Sequence, residues 1–436
     1  MDLARIFAPR RRGDGHGLRK PIGQASPDGA LPPAAVGDQP AHPLNFLNLL
    51  PRPVTDRHSL FPLRTRSATR RKIAAVAAAL AVAGSLVTVL LASSMAPPSR
   101  YDRIADDEKS VVVIDSTTLT GMGPATRMGA GFLAAIGRRR AYIVTANHVA
   151  SADASKIIVT LSNGDQLFGK VAGGEPGVDV SVVSIPAGPA RDLPVLKLGD
   201  SDALMPGEPL TIIGHPFFAY YSVSRGSVSA IHREDPALGA MVQDYVQTDG
   251  AVNGGNSGGP VIDDATNRVI GIADYIMQPP NTYPDPGERG KYDGLTALVS
   301  SRIAAKVFAD VMAWGTVTPG ISHIVVADNV VHALADDPAV PRISRGAKVV
   351  SVQAGSAAAV SGIRPGDVIL SVNGRKITDG NDFRVVEFLS HPGDSEELTL
   401  SRAGRALAFA FPMGGEMMPN PASFGGNPEA FAFRHR

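Results

Sequence analysis

Residues 254–260 read Gly-Gly-Asn-Ser-Gly-Gly-Pro, and what flanks them decides the fold. Ser257 at the centre satisfies G-x-S-x-G, which also describes the nucleophile elbow of an α/β-hydrolase. That fold sets alternating helices and parallel strands around the elbow and places its acid and histidine after the serine. Here the flanks are strand-like on both sides, Val242–Val246 before and Val269–Ala273 after. A glycine-rich turn between two strands can merely reverse the chain. It can also hold a hydroxyl clear of bulky neighbours, with main-chain N–H groups close enough to meet a developing oxyanion.

Outward from this turn, apolar runs of four to seven residues recur between Gly, Asn, Asp and Pro punctuation. They are Val111–Ile114, Phe132–Ile136, Tyr142–Thr145, Ile157–Leu161, Val180–Ile185 and Leu210–Ile213, besides the two already named. Many short strands separated by turns predict a mainly β architecture, a sandwich or barrel. Helical spacing first emerges at Ser301–Trp314, where Ile303, Val307, Val311 and Trp314 share one face. A second β-rich block runs from about Gly320 to Pro412, and residues 413–436 read as a flexible tail. The expected domains are therefore 110–314 and 315–412. No internal repeat is visible.

The N-terminal part differs in kind. Residues 1–72 are rich in Pro, Gly and Arg and read as a disordered basic tail, with thirteen Lys/Arg against five acidic residues. Residues 73–93, IAAVAAALAVAGSLVTVLLAS, carry no charge. At about 1.5 Å per residue they would reach about 30 Å, the thickness of a bilayer's hydrocarbon core. A buried soluble helix and a cleaved signal peptide are the alternatives. Arg70, Arg71 and Lys72 before the stretch and Asp106, Asp107 and Glu108 after it predict a single transmembrane span with a cytoplasmic N-terminus. Residues 94–109 then read as a short tether. The whole chain has a net charge of +1 and no cysteine. The first gives no reason to expect a nucleic-acid partner, and the second excludes disulfides, thiol nucleophiles and thiolate metal sites. No phosphate loop, H-E-x-x-H or EF-hand pattern is visible, so no cofactor or metal is expected.

A serine nucleophile needs a base and an orienting acid. His148 follows the apolar stretch Tyr142–Thr145, which brings an imidazole to a strand end. Asp179 stands at the mouth of the apolar strand Val180–Ile185. Each is unremarkable alone, but the order His148, Asp179, Ser257 is that of the chymotrypsin fold. The blocks TANHV (145–149), GVDVSVV (177–183), GHPF (214–217), RGSVSA (225–230) and QTDGAVNGGNSGGP (247–260) resemble, in order, those of the HtrA/Deg serine proteases. The resemblance spans about Ser110 to Pro412. It implies a two-barrel, trypsin-like protease domain with His148 as general base, Asp179 as orienting acid and Ser257 as nucleophile. The main-chain N–H groups of Gly255, Asn256 and Ser257 would form the oxyanion hole. Ala251 would floor the S1 pocket and Leu295, Thr296 and Ala297 would line its wall, which favours small or medium apolar P1 side chains. The Pro-rich stretch 278–291 departs from the family pattern.

Residues 346–374 resemble a PDZ domain, which binds peptide C-termini by strand addition with N–H groups capturing the carboxylate. The matching loop is Pro319, Gly320 and Ile321, with Asn381–Leu389 as the groove's other wall; Pro319 lacks an N–H. The resemblance implies a homotrimeric envelope protease acting on misfolded, membrane-associated or signalling proteins in quality control and stress response. Its periplasmic domains would be tethered to the inner membrane. The alternative is an idle PDZ scaffold or chaperone.

Overall fold

The computed structural model describes residues 72, 75–85, 98–235, 242–277, 294–332 and 343–415. Within the first compact unit, residues 75–85 are helical. The rest of 73–93 lies outside the described residues, as do 1–71 and the loop 278–291. Among the described residues no helix is long and apolar enough to cross a membrane.

The second unit opens with α1 (Arg100–Asp107), in the stretch expected to be a tether. Ser99 and Asp102 cap each other across its first turn, a reciprocal pair that satisfies two otherwise orphaned N–H groups. Arg100 pairs with Asp264 at 2.6 Å and Asn267 donates to Asp107 at 3.2 Å. The stretch is thus docked, because its polar side chains find partners on the protein surface.

Two closed six-stranded barrels follow. The first comprises β1 (Val111–Thr120), β2 (Gly123–Ile136), β3 (Arg140–Ala146), β4 (Lys156–Thr160), β5 (Gln166–Glu175) and β6 (Val180–Pro186), ordered β1-β2-β3-β6-β5-β4. The second comprises β7 (Pro209–Gly214), β8 (Ser222–Arg233), β9 (Tyr245–Thr248), β10 (Pro260–Asp263), β11 (Arg268–Ile276) and β12 (Thr296–Ser300), ordered β10-β11-β12-β9-β8-β7.

Strand side chains alternate between faces, and here both faces of the central strands are buried. Val112, Ile143 and Val183 fill the first barrel, and Ile212, Val261 and Leu298 fill the second. Their sequence neighbours Val111, Val144, Val182, Ile213, Ile262 and Val299 point the other way, into a shared apolar seam. This double burial explains why the strands read as unbroken apolar runs. Across the seam lies α2 (Ser301–Trp314), which buries Ile303, Val307 and Val311 as the spacing predicts. Trp314 is only half-buried and stacks edge-on against His391.

The C-terminal sheet contains β13 (Ile324–His332), β14 (Ile343–Val352), β15 (Val368–Val372), β16 (Arg375–Lys376), β17 (Ser395–Arg402) and β18 (Arg405–Pro412), with β13 at one edge. Its core includes Val349, Ile369, Phe383, Leu398 and Phe411, covered by α3 (Ala357–Ser361) and α4 (Gly380–Leu389). Helix α4 also joins this sheet to the barrels. Val385 and Phe388 enter the seam core; the Gln243 main-chain N–H donates to Asn381 Oδ1 at 3.1 Å, and Asn381 Nδ2 donates to the Gln243 carbonyl at 2.6 Å. Met413 is buried in the sheet's core and Gly414 is bridged to Ile321, so the expected free tail does not begin at 413.

Candidate active site

Strands β3 and β6 pair as far as Ala146↔Val180. His148 and Asp179 lie just beyond that pair, so the ladder itself brings them together. The Asn147 N–H donates to the Asp179 carbonyl at 3.0 Å and extends the pairing by one step. Asp179 then adopts a left-handed conformation at φ 54° after the turn Pro176–Val178. One carboxylate oxygen accepts the His148 N–H at 2.8 Å, and the other lies 2.6 Å from His148 Nδ1. This two-point grip fixes the imidazole's orientation.

Ser257 arrives from the second barrel, on the turn between β9 and β10, and both barrels clamp that turn. The Ala130 N–H of β2 donates to the Ser257 carbonyl at 2.8 Å, and the Gly258 N–H donates to the Ala273 carbonyl at 2.8 Å. Gly258 has φ +87°, and a Cβ there would meet the Ala130 carbonyl and the Thr145 hydroxyl at 2.2 Å. Only glycine fits. The Ser257 hydroxyl donates to the Asp274 carbonyl at 3.1 Å, and among the described residues no hydrogen bond joins it to His148.

Of the three N–H groups expected at an oxyanion hole, Asn256 is a correction. Its N–H donates to the Asn253 carbonyl at 2.9 Å, because the turn closes on itself there. Gly255 and Ser257 make no main-chain N–H hydrogen bond among the described residues. Gly255, at φ +103°, lies so close to His215 that a Cβ would be 2.3 Å from the His215 carbonyl oxygen. His215 is fully buried and burial lowers its pKa; its Nδ1 accepts the Tyr221 N–H at 3.0 Å.

The expected S1 residues divide. Ala251 is exposed, with its carbonyl accepting from the Ser224 hydroxyl at 2.9 Å. The buried Thr296 hydroxyl donates to the adjacent Gly250 carbonyl at 2.8 Å, and Leu295 is half-buried. Ala297 packs into the seam core instead of an open wall, since strand alternation turns it away from its neighbours. At the expected carboxylate loop, the Gly320 N–H donates to the Ser390 carbonyl and the Ile321 N–H to the Gly414 carbonyl, both at 2.9 Å. In this conformation the donors assigned to a peptide carboxylate are already paired.

One residue of the site is absent from the sequence expectations. Asp274 on β11 is buried, a carboxyl oxygen of it lies within 4.8 Å of one of Asp179, and its Oδ1 lies 3.9 Å from His148 Nδ1. Burial, reinforced by the charge of Asp179, pushes its pKa up to about 8. A signal existed in the sequence: Asp274 is the one acid inside the apolar run 269–276, VIGIADYI. His148, Asp179 and Asp274 offer ligand atoms within 4.8 Å of one another. However, both Asp179 oxygens are committed to His148, and burial favours the neutral form of Asp274. The chemistry is that of proton sharing more than of cation binding.

Residues 129–272 match a trypsin-like peptidase domain and residues 348–402 match a PDZ domain. The chain thus joins a trypsin-like peptidase domain to one PDZ domain. Its named homologues are DegP-like and HtrA-type serine proteases. A periplasmic serine endoprotease, DegP-like, of Pseudomonas fulva is 35% identical over 280 residues, 64% of this chain and 54% of that protein. A protein of the same name from Chlamydia trachomatis is 33% identical over 279 residues, 64% of this chain and 52% of that one. The chain therefore spans about half the length of these relatives. Among solved structures, the HtrA-type protease AlgW with a tripeptide superposes with a TM-score of 0.55 at 26% identity, covering 74% of this chain and 99% of that one. The same protease with a decapeptide gives 0.53 at 25% identity, covering 74% and 100%.

Proposed function

We propose that this chain is a serine endopeptidase of the bacterial cell envelope, cleaving misfolded or signalling proteins. In this reading His148 takes the Ser257 proton, Ser257 Oγ attacks the scissile carbonyl, and Asp179 holds the imidazole in its productive tautomer. Gly255 and Ser257 supply the oxyanion donors. The observation that carries the reading is the His148–Asp179 grip at the barrel seam, beside a serine turn with two N–H groups uncommitted among the described residues. The names and bound peptides of the relatives support it, and their periplasmic designation supports an envelope location. The uncharged stretch 73–93 and its flanking charges support a single inner-membrane span, with 110–314 and 315–412 outside as protease and PDZ domains. Homotrimeric assembly follows from the family resemblance. At the PDZ domain, a peptide would add to the open edge of β13.

The test is digestion of an unfolded protein by the purified full-length chain. Ser257→Ala should lower turnover on the order of 10⁶-fold. Failure of the wild type to cleave, with or without peptide ligands, would sink the reading.

One observation favours a second reading, an idle PDZ scaffold: Ser257 Oγ is turned to Asp274. Covalent labelling by an organophosphate decides between them, since only an activated Ser257 reacts.

A further inference from the structure

We propose that Asp274 is a positioning residue of the catalytic site, holding Asp179 against His148 by sharing a proton between the two carboxyl groups. The inference rests on the protease reading and adds a part to its machinery. Two carboxyl groups set this close together, one of them buried, cannot both ionise cheaply, so one keeps its proton and donates it. Asp179 already spends its oxygens on the His148 N–H and ring. Asp274 is therefore the donor, and its O–H···O bond fixes the carboxylate. Its high pKa, near 8, agrees with this assignment.

The same residue reaches the nucleophile, since its carbonyl holds the Ser257 hydroxyl. One residue of β11 thus touches the acid by its side chain and the serine by its main chain. The titratable groups facing the pair are His148 and Tyr245, with Tyr275 and Asp235 behind them. Burial pushes both tyrosines up, so neither gains charge in the working range.

The consequence is an alkaline limit. Loss of the Asp274 proton leaves two adjoining carboxylates, which repel each other and release Asp179 from its alignment. Activity should fall as pH rises through about 8. Stability has its own sign. Between the ordinary value of 3.8 and about 8, the unfolded chain has lost this proton and the folded chain keeps it, so stability declines with pH across that window.

Three full-length proteins test the idea: wild type, Asp274→Asn, which keeps an N–H donor but cannot titrate, and Asp274→Ala, which keeps neither. Expected are an alkaline fall in kcat/KM for the wild type, missing in Asp274→Asn, and a kcat for Asp274→Ala lower by about ten- to hundredfold. The Tm of Asp274→Asn should gain on the wild type between about pH 5 and about pH 8. Coincident pH profiles with a constant Tm difference would overturn the proposal. Should no protein cleave anything, the protease reading fails, while the Tm comparison still decides the proton. Should the variants not fold, the infrared spectrum of the wild type decides: a protonated-carboxyl band that outlasts the Glu234 titration near pH 7 and is lost by about pH 9 supports the proposal, and absence of any such band at about pH 8 ends it.

Discussion

The turn carrying Ser257 and the turn entering β13 both place glycine N–H groups where an anion could be met, and they differ in what those groups already hold. Gly255 and Ser257 make no main-chain N–H bond among the described residues, whereas Gly320 and Ile321 donate to Ser390 and Gly414. The serine turn keeps its donors free because neighbouring residues absorb the strain of holding it. Ala130 N–H, Gly258 N–H and Asn256 N–H anchor it from three sides without using the two that matter. The other turn gains its order by spending its donors on the end of α4 and on the segment after β18. A glycine-rich turn is therefore an anion site only if something else pays for its conformation.

Between the two turns, the largest effect should come from disturbing the free donors. Gly255→Ala places a methyl 2.3 Å from the His215 carbonyl at a backbone φ of +103°, a conformation that costs an L-residue roughly 1–2 kcal/mol before any clash. The turn must shift, and the Gly255 N–H with it. Loss of one oxyanion donor costs about 10²–10³ in kcat. Steady-state kinetics should show that loss with KM changed far less. An equal change in both constants would mean that the N–H serves substrate binding and not the transition state.

The same contrast shows what was legible in the sequence. Strands buried on both faces, such as β1, β3 and β6, announce themselves as apolar runs. By contrast β5 (QLFGKVAGGE) and β8 (SVSRGSVSAIHR) carry too many glycine and polar residues to read as strands, and barrel closure makes them strands. His148, Asp179 and Ser257 stand out as candidates in the sequence because each ends or leaves a strand in a known order. The pairing state of main-chain donors was not, because it depends on residues distant in the chain. Gly414 meets Ile321 only through the sheet, and Asn253 meets Asn256 only through the turn's curvature. Asp274 was missed for another reason: a buried acid is costly alone, and its partner lies in the other barrel.

A middle-sized effect should follow from freeing the paired donors. Removing residues 414–436 keeps the buried Met413 but deletes the carbonyl that accepts from Ile321. The released N–H can then meet a peptide carboxylate. One such bond is worth about 1.5 kcal/mol when the acceptor is charged, so a free-acid peptide should bind up to about tenfold more tightly, measured by fluorescence anisotropy. An unchanged affinity would place carboxylate recognition elsewhere.

The smallest effect is the sharpest for the comparison. In the intact chain, a peptide ending in a free carboxylate and the same peptide ending in an amide should bind within about twofold of each other. Both would add to the β13 edge through main-chain bonds that do not involve the terminal group. With Gly320 and Ile321 committed, the carboxylate finds no free N–H in that turn, and its charge remains largely solvated and screened. A strong preference for the free acid in the intact chain would show that the Gly414 bridge opens on binding. The two turns would then differ only in their resting state, one open before its anion arrives and the other opened by it.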